Sequence, residues 1–450
     1  MARPTDIRLL AIKTSTEHIE YRAPIKFGGR VVTNALIFNV RMTVENRAGQ
    51  QGEGFGSMPL GNVWAWPSSA VSPEQSLKAM LTFAERLQAY LLPQSDFAHP
   101  LQITRTWEAA QHNLAKEIVA EQGLPEGMPR LAQLVAASPY EAAIHDAFGR
   151  VAGLSSYNML GSEFIDQDLS HFLTPEFKGE FLDRYTSRTP KASMPLYHLV
   201  GALDPLTESD IKQRLNDGLP ETLGEWILAD GLTHLKIKLA GDNLDWDIQR
   251  VIAVDRAACE AQSKRNVSHW NYSLDFNEKC ANVEYLLEFL RILQSERPGA
   301  FKRTQYVEQP THRDLKSHPE NKMHRAAAIK PVVIDESLID LETLHLAQEQ
   351  GYSGVALKAC KGHTEALLMG AAAQKYNLFL CVQDLSCPGY SFLHSASIAA
   401  RLPTIAAIEG NGRQYCPAGN RGWDDRFPSM FRITDGTVGT AALNGIGLGF

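Results

Sequence analysis

Thr233-His234-Leu235-Lys236-Ile237-Lys238-Leu239 sets two lysines two residues apart within an apolar stretch. On a β-strand, side chains two positions apart leave the same face, so Lys236 and Lys238 point together. Leu235, Ile237 and Leu239 point the other way, into something apolar. Two like charges side by side inside a protein are costly unless anions neutralise them or one lysine loses its proton. Anions follow along the chain. Leu274-Asp275-Phe276-Asn277-Glu278, Tyr306-Val307-Glu308-Gln309-Pro310 and Val333-Ile334-Asp335-Glu336-Ser337 each carry an apolar run into a carboxylate, and Val355-Ala356-Leu357-Lys358 carries the next into a lysine.

These runs belong to a longer rhythm. Residues 195–200, 233–239, 272–276, 305–308, 332–335, 354–358, 378–382 and 405–408 are eight short apolar runs, separated by helical patterns such as 246–263, 283–294 and 341–350. Strands alternating with helices predict parallel βαβ units, and eight of them close into an α/β fold of the TIM-type (β/α)₈ barrel class. In such barrels the active site lies at the C-terminal strand ends, where Asp275, Glu308, Asp335 and Lys358 all fall. Before the barrel, two strand patterns (7–12 and 35–44) and a return strand near 51–56 are followed by helical segments, among them 131–137 and 139–153. A basic loop, 17–34, with Tyr21, Arg22 and Lys26, is expected between the first two strands. The predicted organisation is an α+β capping domain over 1–137, a barrel over 138–415 with an insertion near 162–193, and a C-terminal tail over 416–450 that completes the cap. The insertion is expected to cover the site, to meet a neighbouring subunit or to be a disordered excursion.

Composition excludes several classes. With 44% hydrophobic and 21% charged residues the chain is ordinary for a globular protein. A net charge of −7 gives no electrostatic case for nucleic acid or an anionic membrane. No apolar run is long enough to span a bilayer, and the N-terminus lacks a signal-peptide layout. Six scattered cysteines without Cys-x-x-Cys spacing read as reduced thiols, so a cytoplasmic location is expected.

Three carboxylates on successive strands, flanked by lysines, form a hard oxygen donor set that suits Mg²⁺. Lysines on either side of such a metal could remove and deliver a proton on opposite faces of a substrate carbon. A single strand-end carboxylate is often only a helix cap or a surface charge; three in succession between lysines are harder to explain that way. Glu336 alternates away from Asp335 and reads as a supporting residue. Lys361 reads as a solvated helix start.

In this order, the residues resemble the enolase superfamily, in its muconate-lactonizing-enzyme-like branch within the mandelate racemase/muconate lactonizing enzyme family. The resemblance rests on Lys236-Ile237-Lys238, Asp275 with Asn277, Glu308-Gln309-Pro310, Ile334-Asp335-Glu336-Ser337 and Lys358. It extends to Ala142–Ala147, Tyr157–Gly161, Asp435–Val438 and Gly447–Gly449. It implies that Asp275, Glu308 and Asp335 ligate Mg²⁺, with Mn²⁺ as a substitute. It also implies that Lys238 and Lys358 are acid/bases on opposite faces, and that Lys236 lowers the pKa of Lys238 and touches the substrate carboxylate. The substrate would be a small carboxylate, the first domain a lid bringing Tyr21, Arg22 and Lys26 near it, and the assembly a homo-oligomer. Asn277, Glu336, Asp384 and Glu409 would support the site or contact substrate. Two departures leave the substrate open. The sixth strand continues Lys358-Ala359-Cys360-Lys361-Gly362-His363 without a double glycine, and the seventh ends Val382-Gln383-Asp384. The activity expected is that of a racemase, epimerase or cycloisomerase. A dehydratase or other β-elimination lyase is the alternative, and a non-catalytic carboxylate-binding barrel a second.

Overall fold

A computed structural model describes residues 3–27, 30–94 and 96–450. The chain opens with an antiparallel sheet in the order β1 (Ile7–Phe27), β2 (Arg30–Asn46), β3 (Gln51–Pro59). The segment expected as a loop over 17–34 is therefore mostly a hairpin, paired from Ile7↔Asn46 out to Phe27↔Arg30 with an irregularity between Glu20 and Ile25. Its run of β-formers, including Ile19, Tyr21, Ile25, Val31 and Val32, extends the ladder well past the polar residues that suggested a loop. Four helices follow: α1 (Asn62–Ala65), α2 (Pro73–Leu91), α3 (Pro100–Glu121) and α4 (Arg130–Ala152).

Helix α4 corrects the sequence reading, which divided it at Pro139. It continues through that proline. A proline inside a helix normally removes a hydrogen bond and bends the axis, but this helix is almost wholly buried and held by tertiary contacts. Its closest partner is β3, where Gly52, Gly54 and Gly56 recur on one face. A Cβ at Gly54 would fall on the Ala143 carbonyl and the Ala147 backbone, and one at Gly56 on the Pro139 carbonyl. The glycines let helix and sheet touch backbone to backbone.

The barrel strands are β4 (Met194–Val200), β5 (His234–Lys238), β6 (Asn271–Asp275), β7 (Thr304–Glu308), β8 (Val332–Ile334), β9 (Gly354–Lys358), β10 (Phe379–Gln383) and β11 (Ile408–Glu409). They pair in parallel in sequence order, and β11 returns to β4, so the eight strands close. The short strand β12 (Thr437–Val438) adds antiparallel to the start of β4. Side chains alternate as a pleat requires. Leu235 and Ile237, fully buried, join the large cluster under the helices, whereas Tyr197, Tyr306, Val333, Ala356 and Cys381 form a separate cluster filling the barrel's interior. Lys236, Ser273, Glu308 and Gln383 lie in register with that interior face.

The 162–193 segment neither covers the barrel mouth nor is structureless. It is a chain of short turns whose Leu169, Phe177 and Leu182 are buried. It is tied to the outside of the barrel by Gln374 to the Tyr185 carbonyl at 3.0 Å and Lys375 to the Glu176 carbonyl at 2.7 Å. The tail returns to α4, with the Leu448 amide donating to Asp146 at 3.0 Å and Arg150 to the Phe450 carbonyl at 2.7 Å. Among the described residues no helix is long and apolar enough to cross a membrane.

Candidate active site

Seven of the eight barrel strands bring a polar side chain to one rim: Lys238 ends β5, Asp275 β6, Glu308 β7, Lys358 β9, Gln383 β10 and Glu409 β11, and Asp335 directly follows β8. All are buried. Lys236, one layer below, lies between three carboxylates: Nζ is 2.8 Å from Glu308, 2.9 Å from Glu409 and 3.1 Å from Asp275. Lys238 donates to Asp275 Oδ2 at 2.5 Å and to Asn277 Oδ1 at 3.0 Å, and the Asn277 amide nitrogen Nδ2 donates to the Leu239 carbonyl at 3.1 Å. Lys358 lies 3.0 Å from Asp335 Oδ2 and donates to the Asp384 carbonyl at 3.2 Å. The Gln383 amide donates to Glu308. Asp384 accepts from the backbone of Cys387 and Asn411, and the Asn411 amide also donates to Glu409 at 2.7 Å.

Two sequence expectations change here. Lys236 is not a bare cation pressing on Lys238: burial alone would lower its pKa, but Glu308, Glu409 and Asp275 hold it well above the usual lysine value. Lys358 is likewise held protonated, its burial outweighed chiefly by Asp335. Lys361 is not a solvated helix start. It is 3% exposed, donates to the Asp335 carbonyl and lies 3.1 Å from Asp335 Oδ1. The turn Ala359–Lys361 brings it back over the rim beside Lys358. Its spacing, three residues after a strand-end lysine, is the only sequence signal that could have found it.

Burial and repulsion dominate the acids. Asp275 and Asp335 stay ionised because their lysines outweigh burial. Burial with the charges of Asp275 and Asp335 pushes Glu308 well above the carboxylate range, burial with Asp335 pushes Glu336 up to about 8, and burial with Glu409 pushes Asp384 up to about 7. Glu336 faces inward, correcting the alternation argument, because regular pleating ends at Ile334.

Among the described residues no three His, Cys, Asp or Glu side chains converge to hold a metal, since the acids are turned onto ammonium groups instead. Donor type and charge nevertheless fit a divalent cation. The rim buries six carboxyl groups (Asp275, Glu308, Asp335, Glu336, Asp384, Glu409) against four lysines (Lys236, Lys238, Lys358, Lys361), two more acids than bases, and burial with mutual repulsion raises the pKa of Glu308, Glu336 and Asp384. Hard oxygens crowded so that a divalent cation would relieve their repulsion are Mg²⁺ chemistry.

The cap closes over this rim. Tyr21 sits against Ser386 and Asp384, its ring 6.5 Å from that of Tyr415. Arg22 does not reach the site; it forms an ion pair with Asp217 and donates to the Pro220 carbonyl at 3.1 Å. Lys26 is exposed and pairs with Val31 across the hairpin. The basic residues expected at the site are thus spent on docking or solvent. What the cap offers is apolar: a cavity of about 160 Å³ lined by Val32, Ala35, Leu36, Leu60, Trp64 and Leu385 among others. Trp64, which nothing in the sequence singled out, lies over Lys358 and Lys361 with ring-to-nitrogen distances of 4.8 and 5.8 Å.

The fold and rim together define the class: a closed parallel barrel with acids and lysines at its C-terminal strand ends, under an α+β cap. A family profile described as "Enolase C-terminal domain-like" matches residues 219–450, and the chain belongs to the enolase superfamily, in its mandelate racemase/muconate lactonizing enzyme branch. A substrate-liganded L-Ala-D/L-Glu epimerase from Bacillus subtilis superposes with a TM-score of 0.64 at 19% identity, covering 98% of each chain. The muconate lactonizing enzyme from Pseudomonas fluorescens, complexed with muconolactone, gives 0.63 at 19% identity over 98% of this chain and 96% of that one. A dipeptide epimerase from Enterococcus faecalis V583, complexed with Mg and L-Leu-L-Tyr, gives 0.62 at 15% identity over 98% and 99%. At these identities the likeness is one of fold. No curated protein matches the sequence.

Proposed function

We propose that the protein is a Mg²⁺-dependent racemase or epimerase that removes the proton α to a substrate carboxylate and returns one on the opposite face. The observation that carries this reading is the placement of Lys238 and Lys358 at the ends of β5 and β9, four strands apart in a closed barrel of eight, with three strand-end acids on the strands between. Asp275, Glu308 and Asp335 would hold Mg²⁺, whose charge stabilises the negative charge that develops on the substrate carboxylate. The chain's own residues do the rest. Lys358, held as an ammonium by Asp335, is the proton donor in one direction, and Lys238 the base. Lys236, fixed by three carboxylates, is a permanent cation beneath the substrate. Glu409 and Asn411 hold Lys236 and Asp384 in place.

The cavity between β1, β2 and α1 supports a finer statement. Its walls are mainly apolar and include no carboxylate, lysine or arginine, with His18, Tyr21, Asn34 and Asn62 as the polar members, so the carboxylate substrate carries a mainly apolar substituent. Incubating the protein with Mg²⁺ and a library of chiral carboxylates in D₂O tests the reading by mass. One α-deuterium should enter substrates with apolar substituents. Exchange confined to doubly charged acids would refute the substrate class, and loss of water or ring closure without exchange would refute the reaction.

A further inference from the structure

Trp64 belongs to α1, a single turn of the cap, yet it is only 8% exposed and is fixed on three sides. Its indole Nε1–H donates to Glu336 Oε1 at 2.8 Å. Its carbonyl accepts from Arg313 Nη1 at 3.1 Å, and Arg313 is itself clamped to Glu278 at 2.5 and 2.7 Å. Its ring covers the ammonium groups of Lys358 and Lys361. An indole is the aromatic ring that attracts a cation most strongly, and the attraction grows when water is excluded. Glu336 is a costly partner: it is buried, and its Oε2 has no hydrogen-bond partner among the described residues. A buried carboxylate that holds one indole N–H fixes the plane of that ring.

We infer that Trp64 is a positioning residue through which the seated cap sets the direction of the Lys358 side chain. Glu336 fixes the indole plane, and the plane confines Lys358 between the ring, Asp335 and the Asp384 carbonyl. Among the described residues no aromatic ring covers Lys238; its Nζ is set by Asp275 and Asn277, both on the barrel. The acid/base on one face of the substrate therefore depends on the cap, and the one on the other face does not. This inference rests on Lys358 being an acid/base of the proposed reaction.

The test separates the two faces. With a pair of enantiomeric substrates in D₂O, Trp64→Leu should slow exchange of the enantiomer served by Lys358 by roughly tenfold or more, leaving the enantiomer served by Lys238 within about twofold. Trp64→Phe, which keeps a ring but loses the N–H, should fall between. Equal losses on both faces, or none, would overturn the assignment. A second measurement needs no turnover. In protein labelled with ¹⁵N-tryptophan, the Trp64 indole N–H, identified by its absence in Trp64→Phe, should be protected from solvent and should shift in both Glu336→Gln and Lys358→Met. A resonance that shifts in fewer than both overturns the inference. If no carboxylate exchanges at all, the proposed reaction fails while the indole resonance still decides whether Trp64 holds the lysine.

Discussion

At the scale of single residues, the decisive fact is that the rim carries more buried acid than base. Glu308 illustrates it: it is fully buried, takes one bond from Lys236 and one from Gln383, and is repelled by Asp275 and Asp335. If it is a metal ligand, Glu308→Gln should weaken Mg²⁺ binding by more than about a hundredfold in calorimetry, since outer partners alone are worth roughly 10–100-fold. Unchanged affinity would remove it from the donor set. Lys361 gives a second expectation. Lys361→Met leaves Asp335 with Lys358 alone and should lower the unfolding free energy by about 3 kcal/mol, as breaking a buried ion pair does. A solvated lysine would leave urea denaturation unchanged. Strand-end Lys238, Asp275, Glu308, Asp335 and Lys358 were legible in the sequence because alternation and βα spacing dictate where they must lie. Lys361 and Trp64 were not, because a turn and a cap contact set them, and neither leaves a period in the sequence.

At the scale of elements, two junctions carry consequences. Where β3 meets α4, Gly54 has no room for a side chain, so Gly54→Ala should destabilise the protein by about 1–3 kcal/mol or more, through a shift of helix against sheet. Near-parental thermal stability would show that the contact is looser. Behind the β9 rim, where the sixth strand continues without a double glycine, His363 is packed into a buried cluster of rings. Its Nδ1 lies 3.0 Å from His394 Nε2, and its ring lies 4.4 Å from that of His145 and 5.5 Å from that of Tyr157. Burial lowers the pKa of His394 to about 3 and that of nearby His99 to about 4. A histidine whose folded pKa lies below its unfolded value of about 6.5 contributes fully above that pH, and the contribution falls as pH drops toward the folded value, by about 1.4 kcal/mol per unit for each group. Glu141, pushed up to about 7 by burial, slopes the opposite way, so the comparison needs a variant. Between pH 6.5 and 5, His394→Asn should show a shallower loss of urea stability than the parent. Equal slopes would mean that His394 is free to take up a proton in the folded state.

At the scale of the whole molecule, the barrel was readable from end to end because eight apolar runs alternating with helical patterns, four of them closing on Asp275, Glu308, Asp335 or Lys358, admit few other arrangements. The cap was readable only as α+β. The polar, basic residues of 17–34 read as a loop, whereas they belong to a hairpin in which Arg22 anchors the strand to the 217–220 segment and Lys26 faces solvent. Polarity could not say which side of a strand would meet the barrel. The finished architecture sets two lysines across a closed ring, one beneath the cap and one on the barrel alone. α-Deuterium incorporation in D₂O, followed for each enantiomer in the parent, Lys238→Ala, Lys358→Ala and the double variant, bears on that arrangement with least intervening assumption. The parent should exchange both enantiomers with Mg²⁺ present, each single variant only one, and the double variant neither. Exchange at the parental rate in the double variant would contradict the two-lysine arrangement outright.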